Sequence, residues 1–331
     1  MPTAPIVING VATTETLPNY AGELFTSDPQ RTPFLSMIGG LTGGRITNSV
    51  EFNVGQLYNL EEASQPNISE RASLTAPEPT HTGTEQFSNV VQIHHKSIKM
   101  SYLRQSDRGT LQGLNLAGQT ANPVDQYSQQ LAWRLTEIAR DVEYSFIRGI
   151  HNKSTTDIDA NRTRGMLELA KTASHIDAAG ALLNKALLKE LAREMAENGA
   201  YLGNMVLFAP AFQRQLLTDI YELTTGYNTP AARTIGGMSV NTIITDFFDM
   251  GIVWNPYMPD DTILIADVSM CAPVFLPVPG KGVLFDEPLD IKGAASESQV
   301  YGQIGLDHGM NFMHGCITGL DAGTPTAPPE E

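Results

Sequence analysis

The residues of this sequence with the widest chemical reach are its histidines and cysteines. His94 and His95 are adjacent, and His308, His314 and Cys316 fall close together near the end. Neutral imidazole and thiolate are zinc-type ligands, but a site needs three or four of them converging on one point. On a strand, neighbouring side chains face opposite ways, so His94 and His95 cannot readily share one ion. His308 and His314 share a face of an unbroken strand yet stand too far apart to ligate together without a bend. All four read as structural. Cys271 and Cys316 are too widely separated for a CxxC motif, and two cysteines make no disulfide framework, so buried free thiols are expected.

Other patterns fail on one specific requirement each. Asp157, Asp159 and Asn161, with Glu168 further on, have part of the spacing of a calcium loop, but its sixth position needs Gly and here holds Arg162. GGLTGG, starting at Gly39, precedes a strand pattern, so it offers no helix N-terminus to a phosphate. Gly280-Lys281 lacks the earlier glycine and the following Ser or Thr of a P-loop. No GxSxG, HExxH, GxGxxG or supported carboxylate pair occurs. The sequence therefore nominates no catalytic residue, no metal site and no cofactor, and an enzyme is not expected.

The elements that would position any site are clearer than the site. Residues 1–44, rich in Thr, Pro and Gly, read as an extended N-terminal arm. Val50, Phe52 and Val54 alternate as in a half-buried strand, and an apolar-rich strand returns through Phe87, Val90, Val91, Ile93, Ile98 and Met100. The long stretch between them lacks apolar periodicity, the mark of either disorder or a functional extension. Asn122 to Gly149 reads as one long helix: Asn122 caps, Pro123 opens, and Gly149 stops it. Tyr127, Leu131, Leu135, Ile138, Val142 and Phe146 form its apolar stripe, opposite Gln129, Arg134, Glu137 and Arg148. A second helix, about residues 184–198, buries Leu187, Leu188, Leu191 and Met195. Then follow a strand at 205–208, a short helix at about 210–222, and strands near 240–244, 252–254 and 262–265. From about 269 to 318 short strands are expected between Gly and Pro residues, and the tail from Asp321 should be disordered.

Charge adds a constraint. With 36 acidic and 21 basic residues the net charge is −15, which disfavours binding to phosphate backbones. Residues 51–95 carry Glu51, Glu61, Glu62, Glu70, Glu78 and Glu85 against Arg71 alone, whereas Lys96, Lys99, Arg104 and Arg108 then face only Asp107. Either both are solvated faces, or the acidic loop meets a basic surface on another copy. The opening residues lack a secretory n-region, and no apolar run reaches the roughly 18 residues of a membrane span, so cytoplasmic synthesis is expected.

In this order, the loop from Asn48 to Met100, the helix NPVDQYSQQLAWRLTEIARDVEYSFIRG, the RGML run at 164–167 and the pair NKALLKELAREMAENGAYLGN–MVLFAP resemble the major capsid proteins of tailed bacteriophages with the Hong Kong 97-type fold. The resemblance implies an α+β shell subunit: N-terminal arm 1–44, extended loop 45–100 as a β-hairpin, peripheral domain 101–180 with its spine helix, axial domain 181–268, returning peripheral strands 269–320 and a tail 321–331. It implies self-assembly through hexamers and pentamers into an icosahedral virion shell enclosing double-stranded DNA without specific binding, with no membrane partner. The contact candidates are then Glu61, Glu62, Glu70 and Glu78 against Lys96, Lys99, Arg104 and Arg108. Some members cross-link through a lysine on the extended loop, but the first lysine here is Lys96, so no cross-link is expected. A separate scaffolding protein, or assembly without one, is implied, with a portal as a further partner; the sequence does not decide whether decoration proteins bind outside. The shell of a bacterial encapsulin-like nanocompartment is the alternative, and a hydrolase or binding module is the third reading.

Overall fold

The computed structural model describes residues 31–58, 60, 62–76, 81–103, 126–200, 203–224, 232–235, 238–245, 247–290 and 293–323. The expected helix start at Asn122, most of the arm and most of the tail lie outside these residues. In chain order the elements are α1 (Pro33–Met37), β1 (Arg45–Ile46), β2 (Glu51–Tyr58), α2 (Glu70–Ser73), β3 (Thr84–Val90), β4 (Gln92–Ser101), α3 (Gln126–Arg148), α4 (Met166–Ala170), β5 (Ser174–Asp177), α5 (Lys185–Glu197), β6 (Met205–Ala209) and α6 (Ala211–Thr224). They continue as β7 (Ala232–Ile235), β8 (Met238–Ile244), β9 (Asp249–Trp254), β10 (Ile263–Asp267), β11 (Ala272–Phe275), β12 (Leu284–Pro288), β13 (Ala295–Asp307), a 3₁₀ turn (Asn311–Met313) and β14 (Gly315–Thr318).

A seven-stranded mixed sheet has the order β5-β14-β10-β6-β9-β8-β7, and its β6 and β10 are buried on both faces. Its central strand β6 is a continuous apolar run, MVLFA, as a doubly covered strand requires. Alternate side chains serve different cores: Val206 and Phe208 join the core under α3, while Met205, Leu207 and Ala209 join the core under α5 and α6. Because β5 and β14 belong to this sheet, it runs across the expected boundaries at 180/181 and 268/269.

The spine α3 spans 23 residues, about 35 Å at 1.5 Å per residue. Ile138, Val142 and Phe146 of its apolar stripe are fully buried, with Leu131 and Leu135 packed at the margin. It stops at Gly149, whose amide still bonds back to Ser145 at 2.8 Å. The chain then returns through RGML, and the Gly165 amide donates to the Gly149 carbonyl at 2.9 Å. A Cβ on Gly165 would lie 2.5 Å from the Gly149 nitrogen, so the two segments approach at glycine distance only.

Three expectations are corrected. The end of the arm is not extended: Pro33 to Met37 form a short helix whose Phe34 and Leu35 are core residues. The apolar return strand is two strands, since β3 pairs with β2 whereas β4 leaves at Val91 and pairs with β13 from Gln92–Ile304 to Ser101–Ala295. The closing strands are not all short, because β13 runs 13 residues and is flanked by β4 on one edge and by β12 and β11 on the other. Gly302 and Gly305 do not break it. They make room, for Leu284 and for Phe52 and the Val90 carbonyl respectively.

Candidate assembly surface

The hairpin β2–β3 stands on the sheet through a narrow base. Phe52 lies over Gly305, where a Cβ would meet its ring at 2.9 Å, and Gly55 lies under Met310, where a Cβ would meet the sulfur at 2.6 Å. A bulge between Asn53 and Gly55 bends β2 at this point, and Asn53 Oδ1 accepts from the Gly55 amide at 3.1 Å. Fully buried Asn89 ties the other strand: its Nδ2 donates to Leu306 O at 2.8 Å, and its Oδ1 accepts from the amides of Val90 at 2.9 Å and Arg164 at 2.8 Å. Glu51 accepts from Ser88 Oγ and Lys153 Nζ, and the Lys153 bond leads the influences holding its carboxyl below the usual range.

Past Gly55 the hairpin has no third strand among the described residues. Tyr58, Leu60, Ile68 and Leu74 are all more than 60% exposed there, beside exposed Glu62, Glu70 and Arg71. Ser69 caps the one turn of helix within it, accepting from the Ala72 amide at 3.2 Å. Glu61 and Glu78 lie outside the described residues.

The basic candidates are placed differently from the expectation of an open cationic face. Lys96 pairs with Asp141 of the spine at 2.7 Å and Lys99 with Glu297 of β13 at 2.6 Å, both within the subunit. Arg104 and Arg108 lie outside the described residues. At the end of the spine is an open groove of about 650 Å³ lined by Ile93, Tyr144, Arg148, Ile150, Asp157 and Arg162. Ile93, Tyr144 and Ile150 are at least half exposed, and the Arg148 guanidinium lies 5.5 Å over the Tyr144 ring. Asp157, Asp159 and Asn161 thus belong to a surface loop, and Asn161 Oδ1 accepts from the Ser154 amide.

The histidines divide as the strand argument expects. His95 is exposed and bonds Gln299 at 3.0 Å, while His94 is buried with its Nε2 unpartnered. His314 Nε2 bonds the His308 carbonyl at 2.7 Å, and His314 Nδ1 accepts from the Asp267 amide, which fixes the closing segment. Burial lowers the pKa of His94, His308 and His314 to about 4 each. Among the described residues no group of three or more His, Cys, Asp and Glu could hold a metal ion. Cys271 and Cys316 are free and buried. No helix among the described residues is long and apolar enough to cross a membrane.

A long spine helix under a two-faced sheet, with a hairpin projecting unpartnered from one end, defines the Hong Kong 97-type shell subunit. Solved structures share it at low identity. The capsid of a native GTA particle is 14% identical, with a TM-score of 0.60 over 95% of this chain and 99% of that one. The holo-SrpI encapsulin complex of Synechococcus elongatus PCC 7942 is 12% identical, at 0.59 over 94% and 95%. The Mycobacterium phage Cain structure is 12% identical, at 0.54 over 88% and 91%. No curated protein matches the sequence significantly. The family model of the SU10 major capsid protein matches residues 7–321, and the chain belongs to that family: it is a phage major capsid protein.

Proposed function

We propose that this chain self-assembles through hexamers and pentamers into the icosahedral head of a tailed bacteriophage, each subunit laying its extended hairpin over the next. One observation carries the reading. A hairpin of two strands is marginal in water without a covering surface, and this one holds Tyr58, Leu60, Ile68 and Leu74 out from its own subunit. Its Glu61, Glu62, Glu70 and Glu78 meet the Lys96, Lys99, Arg104 and Arg108 surface of the next copy, and the exposed side chains of Ile93, Tyr144 and Ile150 offer apolar contact on the same subunit. Residues 101–180 and 269–320, apart from β5 and β14, act as the peripheral domain, and residues 181–268, joined in one sheet by those two strands, as the axial domain around the capsomer centres. The net charge of −15 suits a wall that encloses double-stranded DNA without adhering to it. The shell is built in the host cytoplasm with a separate scaffolding protein and a portal, and decoration proteins bind outside. The chain has no catalytic role.

The likeness to an encapsulin favours a nanocompartment shell as the second reading. Expression of the chain alone, followed by size exclusion with light scattering and negative-stain imaging, tests both. Closed shells, or capsomers that close on concentration, are expected. A subunit that stays monomeric at high concentration, with and without the neighbouring scaffold gene, overturns the proposal. A shell that takes up a co-expressed cargo enzyme in place of DNA favours the second reading.

A further inference from the structure

Glu143 is fully buried on the inner face of the spine, and its hydrogen-bond partners among the described residues are all N–H donors. Its Oε1 accepts from the Phe34 amide at 3.0 Å and from Asn255 Nδ2 at 2.6 Å, and its Oε2 accepts from the Leu35 amide at 2.7 Å. Three donors and no acceptor suit a carboxylate, whose lone pairs take all three with none opposed. Thr32 gives α1 no side-chain cap, so Glu143 takes the free amides of its first turn. Asn255, itself fully buried, is also held at its other end, where its Oδ1 accepts from the Tyr257 amide at 2.8 Å. The bonds therefore run without a gap from the arm, at Phe34 and Leu35, through Glu143 and Asn255 to Tyr257 in the turn that leaves β9.

We propose that Glu143 makes residues 33–38 and the 255–258 turn one conformational unit, so that drawing the arm off the spine releases the turn, and disturbing the turn loosens the arm. The reason is what each departure leaves behind. If the arm segment leaves alone, the carboxylate keeps Asn255 and loses two donors; if the turn leaves alone, it keeps the two amides and loses its shortest bond. A buried charge short of donors is costly, so either partial state is raised in energy and the two segments open together. A partner that pulls on the arm thereby alters the chain after β9 without touching it.

Other contacts at this joint serve one side or are shared packing. Arg140 donates to the Tyr257 hydroxyl at 3.1 Å and Arg148 to the Tyr257 carbonyl at 2.6 Å, so both arginines hold the turn on the spine. Phe34 lies edge-on to Phe146 of the spine at 6.5 Å and to Phe208 of the sheet at 5.5 Å, which holds the arm. Phe34 and Met258 belong to the same apolar core, and that packing is the rival route by which arm and turn could sense each other.

The test is native-state amide hydrogen exchange of the full-length protein at pH 8, where Glu143 is charged, since burial pushes its carboxyl up to about 7 and no further. In the wild type, the amides of residues 34–38 and those of Tyr257 and Met258 are expected to open in one step, with the same protection and the same response to low denaturant. Asn255→Ala, which removes no bond made by the arm, is expected to lower the protection of residues 34–38 by about 10- to 100-fold. In a Glu143→Gln background the same substitution is expected to leave the arm where Glu143→Gln alone puts it. The amides of β10 are expected to keep their protection throughout. Unequal protection of the two segments in the wild type, an arm unmoved by Asn255→Ala, or a loss that spreads equally to β10 overturns the unit. An Asn255→Ala effect that persists in Glu143→Gln overturns it too, and assigns the coupling to the packing of Phe34 and Met258. The wild-type comparison needs no variant, so it decides even if Glu143→Gln does not fold. Both segments are read within one chain, so the outcome stands apart from the assembly reading.

Discussion

Gly165 shows how one missing side chain sets the geometry of a helix end. A Cβ there would meet Gly149 N at 2.5 Å, Gly149 O at 2.9 Å and Ile147 O at 3.0 Å, all backbone atoms that cannot swing aside. Gly165→Ala is therefore expected to destabilise the subunit by about 1 to 3 kcal/mol, read as a lower Tm, whereas Gly83→Ala, with nothing within 4 Å, is expected to leave it unchanged. The three buried histidines make a second prediction at this scale. Burial lowers each to about 4, below the ordinary 6.5, so their contribution to stability is fully present above about pH 6.5 and is lost as pH falls towards 4. Each is worth at most on the order of 3 kcal/mol, and Glu143 acts in the opposite sense between about 4.5 and 7. Urea midpoints of wild type and His314→Asn across pH 4 to 7.5 check this: the variant is expected to lose part of the acid slope. The RGML run was legible in the sequence as a marker, but its reason was not, because the contact of Gly165 with Gly149 joins two turns that no local pattern relates. Asn89 gave no signal at all. An asparagine on a strand looks solvent-facing, and only the fold brings the Leu306 carbonyl and the Arg164 amide to it.

At the scale of elements, legibility follows burial. The spine could be read because one face of a long helix packs on a single core, which imposes a 3.6-residue period. The break at Val91 could not, because β3 and β4 are apolar on similar positions and differ only in partner, β2 for one and β13 for the other. The expectation of short strands between Gly and Pro failed for a related reason: Gly302 and Gly305 lie within one long strand, where they admit Leu284 and Phe52. The base of the hairpin rests on that accommodation together with Asn89. Asn89→Ala leaves a buried carbonyl at Leu306 and the amides of Val90 and Arg164 without their partner, and is expected to cost about 2 to 4 kcal/mol. The loss should concentrate at the hairpin, so limited proteolysis is expected to cut between residues 51 and 90 faster than elsewhere. A fall in Tm with an unchanged cleavage pattern would mean that Asn89 supports the sheet alone.

For the whole molecule, the proposed docking of the hairpin on its neighbour has two drivers to separate, charge and apolar contact. The acidic loop suggested charge, but Lys96 and Lys99 already have carboxylate partners in their own subunit, and exposed ion pairs contribute little even when formed. The apolar side chains are the stronger candidates, because Leu60, Ile68 and Leu74, at 73%, 71% and 84% exposed, gain from being covered. Two variants separate the terms. Ile68→Asp with Leu74→Asp touches no packed residue, so the subunit Tm is expected to stay within about 0.5 kcal/mol of wild type in stability while shell formation fails. Glu61→Lys with Glu62→Lys is expected to slow assembly chiefly at low salt, since screening shortens the reach of exposed charges to roughly 8 Å at physiological ionic strength. If the lysine pair abolishes shells at every salt concentration and the aspartate pair does not, the hairpin docks by charge. Either way the joint is expected to be non-covalent: Lys153 at the hairpin base is the partner of Glu51 in its own chain, and the extended loop has no lysine before Lys96. Shells dissolved in denaturant are therefore expected to run as the 35.9 kDa chain, and a ladder of linked subunits would show that the neighbour is held by more than contact.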